Sequence, residues 1–211
     1  MPRLVALHVG VPQTFDGDAP WTSGIYKRAA EGPIHLSHGN LAGDRQADLS
    51  VHGGPDKAVC AYPSNHYARW QAELPEPSCG PGWFGENFCV GDLEESHVSI
   101  GDLFRVGSAI VQVSQPRAPC WKLGRRWNRP DMPKVVVATG RTGWYFRVVE
   151  PGIVAAGDDL VLIDRPFAAW TIDAVNGAAY SKTPDPVVVR GLAECEALSE
   201  AWRSSFRERS P

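Results

Sequence analysis

The chain has 211 residues, of which 24 are acidic and 21 are basic, and its net charge is -3. A charge this close to zero excludes the strongly basic surface of most nucleic-acid-binding domains, so any anion site must be local. No apolar run approaches the roughly 20 residues of a membrane-spanning helix, and the opening segment lacks a signal-peptide pattern; we expect no nucleic-acid or membrane partner and a cytoplasmic location. The frequent glycine (21) and proline (18) favour short strands joined by shaped turns.

Short β-prone runs separated by Gly, Pro and Asp occupy the region from Arg3 to about Pro166, which predicts a mainly β fold with helices. The predicted strands are RLVALHV, SGIYK, KAVCAY, LFRV, AIVQV, WYFRVVE and LVLID. We expect Gly107 and Ser108 to turn a hairpin. Gly-Asp comes just before both LFRV and LVLID, as tight turns between barrel or sandwich strands would require.

One helix is predicted within this region, over the run NHYARWQAEL. Ser64 precedes it as a candidate N-cap. Tyr67, Trp70 and Leu74 recur at helical spacing, so they share one face. We expect that face to pack on the core.

The texture changes after Pro166, where apolar residues recur every three or four positions and indicate helices. Thr171 and Asp185 are candidate N-caps, and Pro186 suits a first helical position. A tail of about 45 residues in short helices cannot fold alone, so it should pack on the barrel or on a partner. The sequence therefore predicts a β-barrel domain over 1–165 and a helical extension over 166–211.

Cys120 differs from the other cysteines in its surroundings. The five cysteines form no CxxC pair, which argues against a disulfide framework and a structural zinc site. Cys60 and Cys89 lie in apolar, strand-like runs and are expected to be buried. Cys120 lies in the segment SQPRAPCWKLGRR, in which it follows two prolines and has four cationic neighbours, Arg117, Lys122, Arg125 and Arg126.

Cationic neighbours favour the thiolate and lower the pKa of a cysteine, which makes Cys120 the best candidate for a nucleophile or a soft-metal ligand. The alternative is a cysteine in a loop beside a basic helix start. For Lys122, Arg125 and Arg126 we favour solvated side chains on one face of that helix.

Three glycine-containing segments are candidates for completing an anion site. In VHGGPDKAV, the backbone NH groups of Gly53 and Gly54, together with Lys57, could hold a phosphate. GWFGENF has three Gly or Asn positions suited to unusual dihedrals, and GRTGWY places Arg141 between two glycines. A thiolate with dispersed cations and glycine turns is what a phosphorylated, metal-bearing cofactor would need.

These segments resemble the MOSC domain, named for the C-terminal region of molybdenum-cofactor sulfurase, and more narrowly the YiiM-like, 6-N-hydroxylaminopurine resistance group. The resemblance rests on GDRQADLSVHGGPDKAVCAYP, GWFGENF, IGDLFRVGSAIVQVSQPRAPCWKL and GRTGWYFRVVEPG. It implies a MOSC-type β-barrel followed by a small C-terminal three-helix extension. It also implies a molybdenum cofactor (molybdopterin), and not pyridoxal phosphate, with Cys120 as the molybdenum ligand and catalytic residue.

The resemblance implies further cofactor-binding residues, which the chemistry of their side chains supports. Lys57, Arg117 and Arg141 would neutralise the pterin phosphate, and Asn87 would bond to backbone or pterin. His52 would orient a phosphate or relay a proton, or else be structural. Gly53 and Gly54 would form the turn beside the phosphate.

The activity implied is reduction of N-hydroxylated compounds, such as hydroxylaminopurine-type bases and hydroxylamines, in detoxification. Because the chain has no P-loop or dinucleotide fingerprint, electrons would come from a separate flavin or cytochrome protein. The alternatives are a non-catalytic carrier of the cofactor or its sulfur, and a thiol enzyme without metal.

Four further polar residues are candidates for metal binding or proton transfer. His35 and His38 are spaced as helical metal ligands would be, but their segment is extended, which favours structural or surface roles. Asp44 and Asp48 are candidates for proton delivery to a substrate. We favour a role in fixing the turn by accepting backbone NH bonds.

Overall fold

The structure is a computed structural model that describes residues 1–16, 19–74 and 76–209. Its strands are β1 (Arg3–Val9), β2 (Gln13–Phe15), β3 (Trp21–Ser23), β4 (Arg28–Ala29), β5 (Ile34–Leu36), β6 (Val59–Pro63), β7 (Phe88–Gly91), β8 (Leu103–Val106), β9 (Ala109–Pro116), β10 (Trp144–Glu150), β11 (Gly152–Val154) and β12 (Leu160–Asp164). Its helices are α1 (Asn65–Glu73), α2 (Trp121–Arg126), α3 (Met132–Thr139), α4 (Ile172–Tyr180), α5 (Pro186–Glu194) and α6 (Glu200–Arg209). Within the described ranges, no helix combines the length and apolar character needed to cross a membrane.

A single eight-stranded sheet forms the barrel, in the order β12-β8-β9-β10-β6-β7-β1-β4. Its neighbouring strands are antiparallel, except that β6 and β7 are parallel. The sheet curls until β1 meets the start of β12, where the amide of Leu4 donates to the carbonyl of Asp158 at 2.8 Å. An isolated antiparallel β-bridge between Arg3 and Asp159 lies beside this hydrogen bond. This confirms the predicted β-barrel with helices.

The predicted turns of the barrel are present. β8 and β9 pair from Val106 and Ala109 onwards, so Gly107 and Ser108 form the hairpin turn. Gly101 and Gly157 both have positive φ, 83° and 96°, in the two turns that lead into β8 and β12. Glycine adopts this conformation without the steric cost that other residues meet.

The barrel interior and the C-terminal helices share one apolar core. Of the two predicted arrangements, packing on the barrel or on a partner, the structure therefore shows packing on the barrel. Its members from the tail include Ile172, Val175, Val189, Leu192 and Phe206, and its members from the barrel include Leu4, Phe88, Val111, Trp144 and Phe146. The predicted caps are also confirmed: the side chains of Thr171 and Asp185 accept from the amides of Ala174 and Val187, and Pro186 is the first residue of α5.

A second, aromatic cluster packs on the outer face of the barrel and contains helices α1 to α3. Its members are Tyr62, Tyr67, Trp70, Phe84, Cys89, Leu123, Trp127, Met132 and Val136. The rings of Tyr62 and Phe84 stack at 4.0 Å between centroids. Because Leu123 belongs to α2, this cluster fixes the helix that begins directly after Cys120.

Two local predictions were wrong. SGIYK is not a strand, because the amide of Lys27 bonds to the carbonyl of Ile25 at 3.1 Å and the chain turns after Ser23. Ser64 occupies the N-cap position of α1, but it has helical dihedrals and its side chain makes no capping bond. Its amide donates instead to the carbonyl of Val90 at 2.7 Å, so it is tied to β7.

Candidate functional site

An open cleft lies against the outer face of the barrel, where several predicted site residues meet. Its floor comes from neighbouring strands: Tyr145 of β10 pairs in register with Cys60 of β6, and both residues line the cleft. Trp144 and Phe146 point into the barrel core, so strand alternation turns Tyr145 outward. The walls come from loops at 23–27, 45–57, 84–87 and 117–122.

The cleft is strongly cationic. Five of its lining residues are Lys27, Arg45, Lys57, Arg117 and Lys122, and none of the described lining residues is Asp or Glu. Of the five cations, only Lys27 forms an ion pair within the described part of the chain, with Asp44. Four positive charges without an ion-pair partner in one concave site, in a protein of net charge -3, favour binding of an anion.

Arg117 lines this cleft and carries a buried donor without a hydrogen-bond partner in the described part of the chain. The residue is buried, at 6% relative exposure, and its Nη2 donates to the carbonyl of Phe84 at 2.8 Å. Its Nη1 is buried and makes no hydrogen bond within the described residues. A buried cation without a counter-charge is costly, which makes Arg117 a candidate for binding an anionic ligand.

The HGGPDK turn forms one side of the cleft. Gly53 and Gly54 have φ values of 90° and 86°, so both positions need glycine. His52, Gly53 and Lys57 line the cleft, whereas Gly54 precedes the 3-10 turn Pro55–Lys57 and is not among the lining residues. Burial, followed by the charges of Lys122, Lys57 and Arg117, lowers the pKa of His52.

Cys120 lies on the wall of the cleft, immediately before α2, and its free thiol is partly exposed. No cluster of three or more His, Cys, Asp or Glu side chains suited to a metal ion occurs in the described ranges. The thiol of Cys120 could therefore supply one soft ligand to a metal whose remaining ligands come from a cofactor.

Two protein-family models match this chain. Residues 48–161 match the MOSC domain, and residues 170–209 match the YiiM-like, 3-alpha helix domain. The chain belongs to the MOSC family. The matched ranges contain Cys120, the HGGPDK turn and all three C-terminal helices, which confirms the resemblance inferred from the motifs.

The MOSC protein is similar to YiiM proteins along its whole length. It is 36% identical over 208 residues to protein YiiM of Escherichia coli (strain K12), covering 97% of this chain and 91% of that protein. The crystal structure of YiiM from Geobacillus stearothermophilus matches with a TM-score of 0.86 and 34% identity, covering 100% of both chains. A protein named "Reductase" from Gibberella moniliformis (strain M3125 / FGSC 7600) is 37% identical over 180 residues, which are 84% of this chain and 31% of that protein.

Asn87 of the MOSC protein holds the cleft together through its side chain. Its Oδ1 accepts from the amide of Cys60 at 3.1 Å, and its Nδ2 donates to Asp44 Oδ2 at 2.9 Å. Asp44 in turn accepts from the amide of Gly10 at 2.8 Å. Asn87 thus bonds to the backbone, which is one of the two roles predicted for it. Asp44 accepts a backbone NH bond, as the sequence analysis favours.

Arg141 lies outside the cleft of the MOSC protein, although the sequence motifs suggested that it would help to hold a phosphate. Its guanidinium pairs with Glu73 at 2.6 Å and lies 4.5 Å from the ring centroid of Trp70. The hydroxyl of Tyr62 also donates to its carbonyl at 3.2 Å. The charge of Arg141 is thus compensated by α1, and the structure does not bring this residue together with the other predicted site residues.

The expectation of a solvated side chain was wrong for Arg126. Its guanidinium carbon lies 4.1 Å from the ring centroid of Tyr26 and 4.4 Å from that of Trp83, so it is held between two aromatic faces. Arg125 is exposed as expected, whereas Lys122 lines the cleft.

The predicted roles of the remaining polar residues agree with the structure. His35 lies in β5, and His38 Nδ1 bonds to the carbonyl of Val148 at 3.1 Å, so neither is on a helix. Asp48 accepts from the amide of Ser50 at 3.0 Å and fixes its turn.

Several cleft residues were not predicted as site residues, among them Lys27, Arg45, Cys60 and Tyr145. Burial raises the pKa of the Cys60 thiol to about 11, and burial likewise raises the pKa of Tyr145. Both groups are therefore protonated near neutral pH. The alternation of WYFRVVE, with Trp144 and Phe146 turned inward, is the sequence signal that points Tyr145 toward the site.

A second cavity adjoins the cleft on the other side of Cys120. Cys120, His52, Lys57, Lys122 and Tyr145 line both spaces. The walls that belong to the second cavity alone are formed by Pro20, Trp21, Thr22, Asp48, Val51, Gln115, Pro119, Trp121, Ala201 and Trp202. Cys120 thus lines both spaces, and the second cavity combines three tryptophans with Lys57, Lys122 and Asp48.

Proposed function

We propose that this MOSC protein is a molybdenum-cofactor-dependent reductase of N-hydroxylated compounds, including hydroxylaminopurine-type bases and hydroxylamines, with a detoxifying role. The observation that carries the proposal is that Cys120 lines one cleft with four cations that form no ion pair within the described residues, one of them the buried Arg117, whose Nη1 has no hydrogen-bond partner there. The similarity to a protein named "Reductase" supports the general class of reaction.

The residues of the cleft fit the cofactor. Arg117 would donate to the cofactor phosphate through Nη1, and Lys57 would add a point charge beside it. The Lys57 Nζ already donates to the carbonyl of Val51 at 2.8 Å, which orients its ammonium group at the turn. Cys120 would supply the thiolate bond to molybdenum. When bound, the cofactor supplies a metal centre that passes two electrons to the substrate.

The overall reaction consumes two electrons and two protons: the N–O bond of the hydroxylamine breaks, the amine is formed and the oxygen leaves as water. The chain itself must then bring protons to the reacting nitrogen and oxygen. Tyr145 lines both cavities, and burial raises its pKa, so its hydroxyl keeps its proton and can donate a hydrogen bond to a substrate. His52 is neutral near pH 7 because burial lowers its pKa, so it can accept a proton or hydrogen bond.

The electrons must come from outside the chain under this proposal. The sequence has neither a dinucleotide fingerprint nor a P-loop. A separate flavin or cytochrome protein would therefore deliver them, and the partly exposed position of Cys120 leaves the metal site accessible from the surface.

The test is turnover by protein loaded with molybdenum cofactor, with reduced benzyl viologen as donor and a panel of N-hydroxylated compounds. Molybdenum content, measured by mass spectrometry, is compared with the rate of amine formation. We expect both to be present in the wild-type protein. Molybdenum without turnover would indicate the carrier function instead, and turnover without molybdenum would indicate a thiol enzyme.

A further inference from the structure

We infer that Glu86 is a positioning residue, which holds the loop 82–86 so that the buried guanidinium of Arg117 is directed toward an anion in the cleft. The inference rests on the anion site of the proposed function, but it does not depend on the reaction. It gives a role to the segment GWFGENF, in which Phe84, Gly85 and Asn87 line the cleft while Glu86 lies behind them.

Glu86 closes this loop through one of its two carboxylate oxygens. The side chain is fully buried, and its Oε1 accepts from the amide of Gly82 at 2.5 Å and from the hydroxyl of Tyr67 at 2.6 Å. The first bond joins the two ends of the loop, and the second ties the loop to α1, to which Tyr67 belongs. Separating a buried carboxylate from both donors is costly, so these bonds keep the loop in one arrangement.

The middle of the loop is Phe84, which contacts Arg117 in two ways. Its carbonyl accepts from Arg117 Nη2 at 2.8 Å, and its ring centroid lies 5.9 Å from the guanidinium carbon. The ring of Phe84 is itself fixed, because it stacks on Tyr62 at 4.0 Å between centroids. Since a guanidinium group is planar, holding Nη2 also sets the direction of Nη1. The loop therefore orients the donor of Arg117 that has no hydrogen-bond partner within the described residues.

The charge of Glu86 and its hydrogen bonds have opposite effects on an anion in the cleft. Burial raises the pKa of the Cys60 thiol, the charge of Arg117 lowers it, and the charge of Glu86 raises it, so both charged groups act on one residue of the cleft floor. A negative charge behind the cleft disfavours anion binding, whereas the loop arrangement that Glu86 maintains favours it. The two effects can therefore be separated by substitution.

The test measures the dissociation constant for inorganic phosphate by isothermal titration calorimetry, at constant ionic strength, on full-length protein without cofactor. In Glu86→Gln, the amide oxygen can still accept from Gly82 and Tyr67 while the charge is removed, so phosphate should bind at least as tightly as in the wild-type protein. In Glu86→Ala both bonds are lost, and the dissociation constant should rise roughly three- to tenfold.

A double-mutant cycle with Arg117→Met separates positioning from a general loss of stability. If Glu86 acts through Arg117, Glu86→Ala should not weaken phosphate binding further in the Arg117→Met background. Asp102→Ala is the matched control, because Asp102 is also a fully buried carboxylate, accepts from the amide of Ser99 at 2.9 Å, pairs with Arg165 and lines neither cavity. It should lower stability and leave phosphate affinity unchanged.

If Glu86→Ala fails to fold, Tyr67→Phe removes one of the two bonds, keeps the ring and should weaken phosphate binding about two- to threefold. Unchanged affinity in both Glu86→Ala and Tyr67→Phe, weaker binding in Glu86→Gln, an additive effect in the Arg117→Met background, or no phosphate binding by the wild-type protein would each overturn the inference. The expected pattern in a protein that reduces no N-hydroxylated compound would leave the role of Glu86 standing and remove the proposed reaction.

Discussion

Replacing Arg117 with methionine should abolish much of the anion affinity of the cleft without unfolding the protein. The Arg117 side chain is buried, with Nη1 unpaired and Nη2 bonded to the carbonyl of Phe84 at 2.8 Å. A hydrogen bond between charged groups contributes about 1.5 to 3 kcal/mol, so the dissociation constant for phosphate should rise by at least roughly tenfold.

The effect on folding should be small because two terms oppose each other. Loss of the bond from the charged guanidinium to the Phe84 carbonyl costs about 1.5 to 3 kcal/mol. Removal of a buried charge that has no ion-pair partner in the described residues offsets that cost. We expect the free energy of unfolding of ligand-free Arg117→Met to lie within about 1 kcal/mol of the wild-type value.

The assay is urea unfolding in increasing inorganic phosphate at constant ionic strength. A ligand that binds only the folded state stabilises it by about 2.7 kcal/mol at 100 times its dissociation constant, and a tenfold weaker site gives about 1.4 kcal/mol at the same concentration. The matched control is Arg141→Met, since Arg141 is paired with Glu73 outside the cleft. Full phosphate stabilisation in Arg117→Met, or its loss in Arg141→Met, would refute the assignment of the anion site.

Three more outcomes are expected. Cys120→Ser should lose molybdenum and reductase turnover with little change in the unfolding midpoint. Cys89→Ser, at a fully buried position, should cost about 1 to 3 kcal/mol of stability and leave turnover per folded molecule unchanged. Equal turnover in Cys120→Ser and wild type would contradict this prediction. Folding lowers the pKa of His52, so its contribution to stability is present above its unfolded pKa near 6.5 and is lost as the pH falls below that value. His52→Gln should therefore make the free energy of unfolding in urea depend less on pH between pH 7 and 5. Phe206→Ala should destabilise barrel and tail in one transition by about 3 to 5 kcal/mol, as calorimetry can show; two separate transitions would mean that the shared core does not couple them.

Much of the fold follows from local sequence signals. The hairpin at Gly107 and the caps Thr171 and Asp185 could be predicted because one turn or one side chain sets each of them. Helix α3 could not, since its run Val135–Val137 is β-branched and favours a strand by propensity. Packing of Met132 and Val136 into the aromatic cluster overrides that preference.

The site could be predicted only where a motif carries its own chemistry. Cys120 and the HGGPDK turn are recognisable from neighbouring residues alone. Arg141 also lies between two glycines in the sequence, but in the structure it forms an ion pair with Glu73 of α1. Trp202 is more than 80 residues from Cys120 in the chain, and no local pattern connects the two. Long-range placement of this kind follows from topology and not from periodicity.

Closure of the barrel has a consequence for how the protein reaches its native state. The strands that close it, β1 and β12, are separated by about 150 residues, and contacts at such separation slow folding because the intervening chain must first be ordered. Before closure, β12 is an open edge carrying Val161, Leu162 and Ile163, each more than 40% exposed even in the native fold. An open apolar edge pairs readily with other chains. Refolding yield should therefore fall as protein concentration rises, and dilute conditions or a chaperone that shields β12 should restore it.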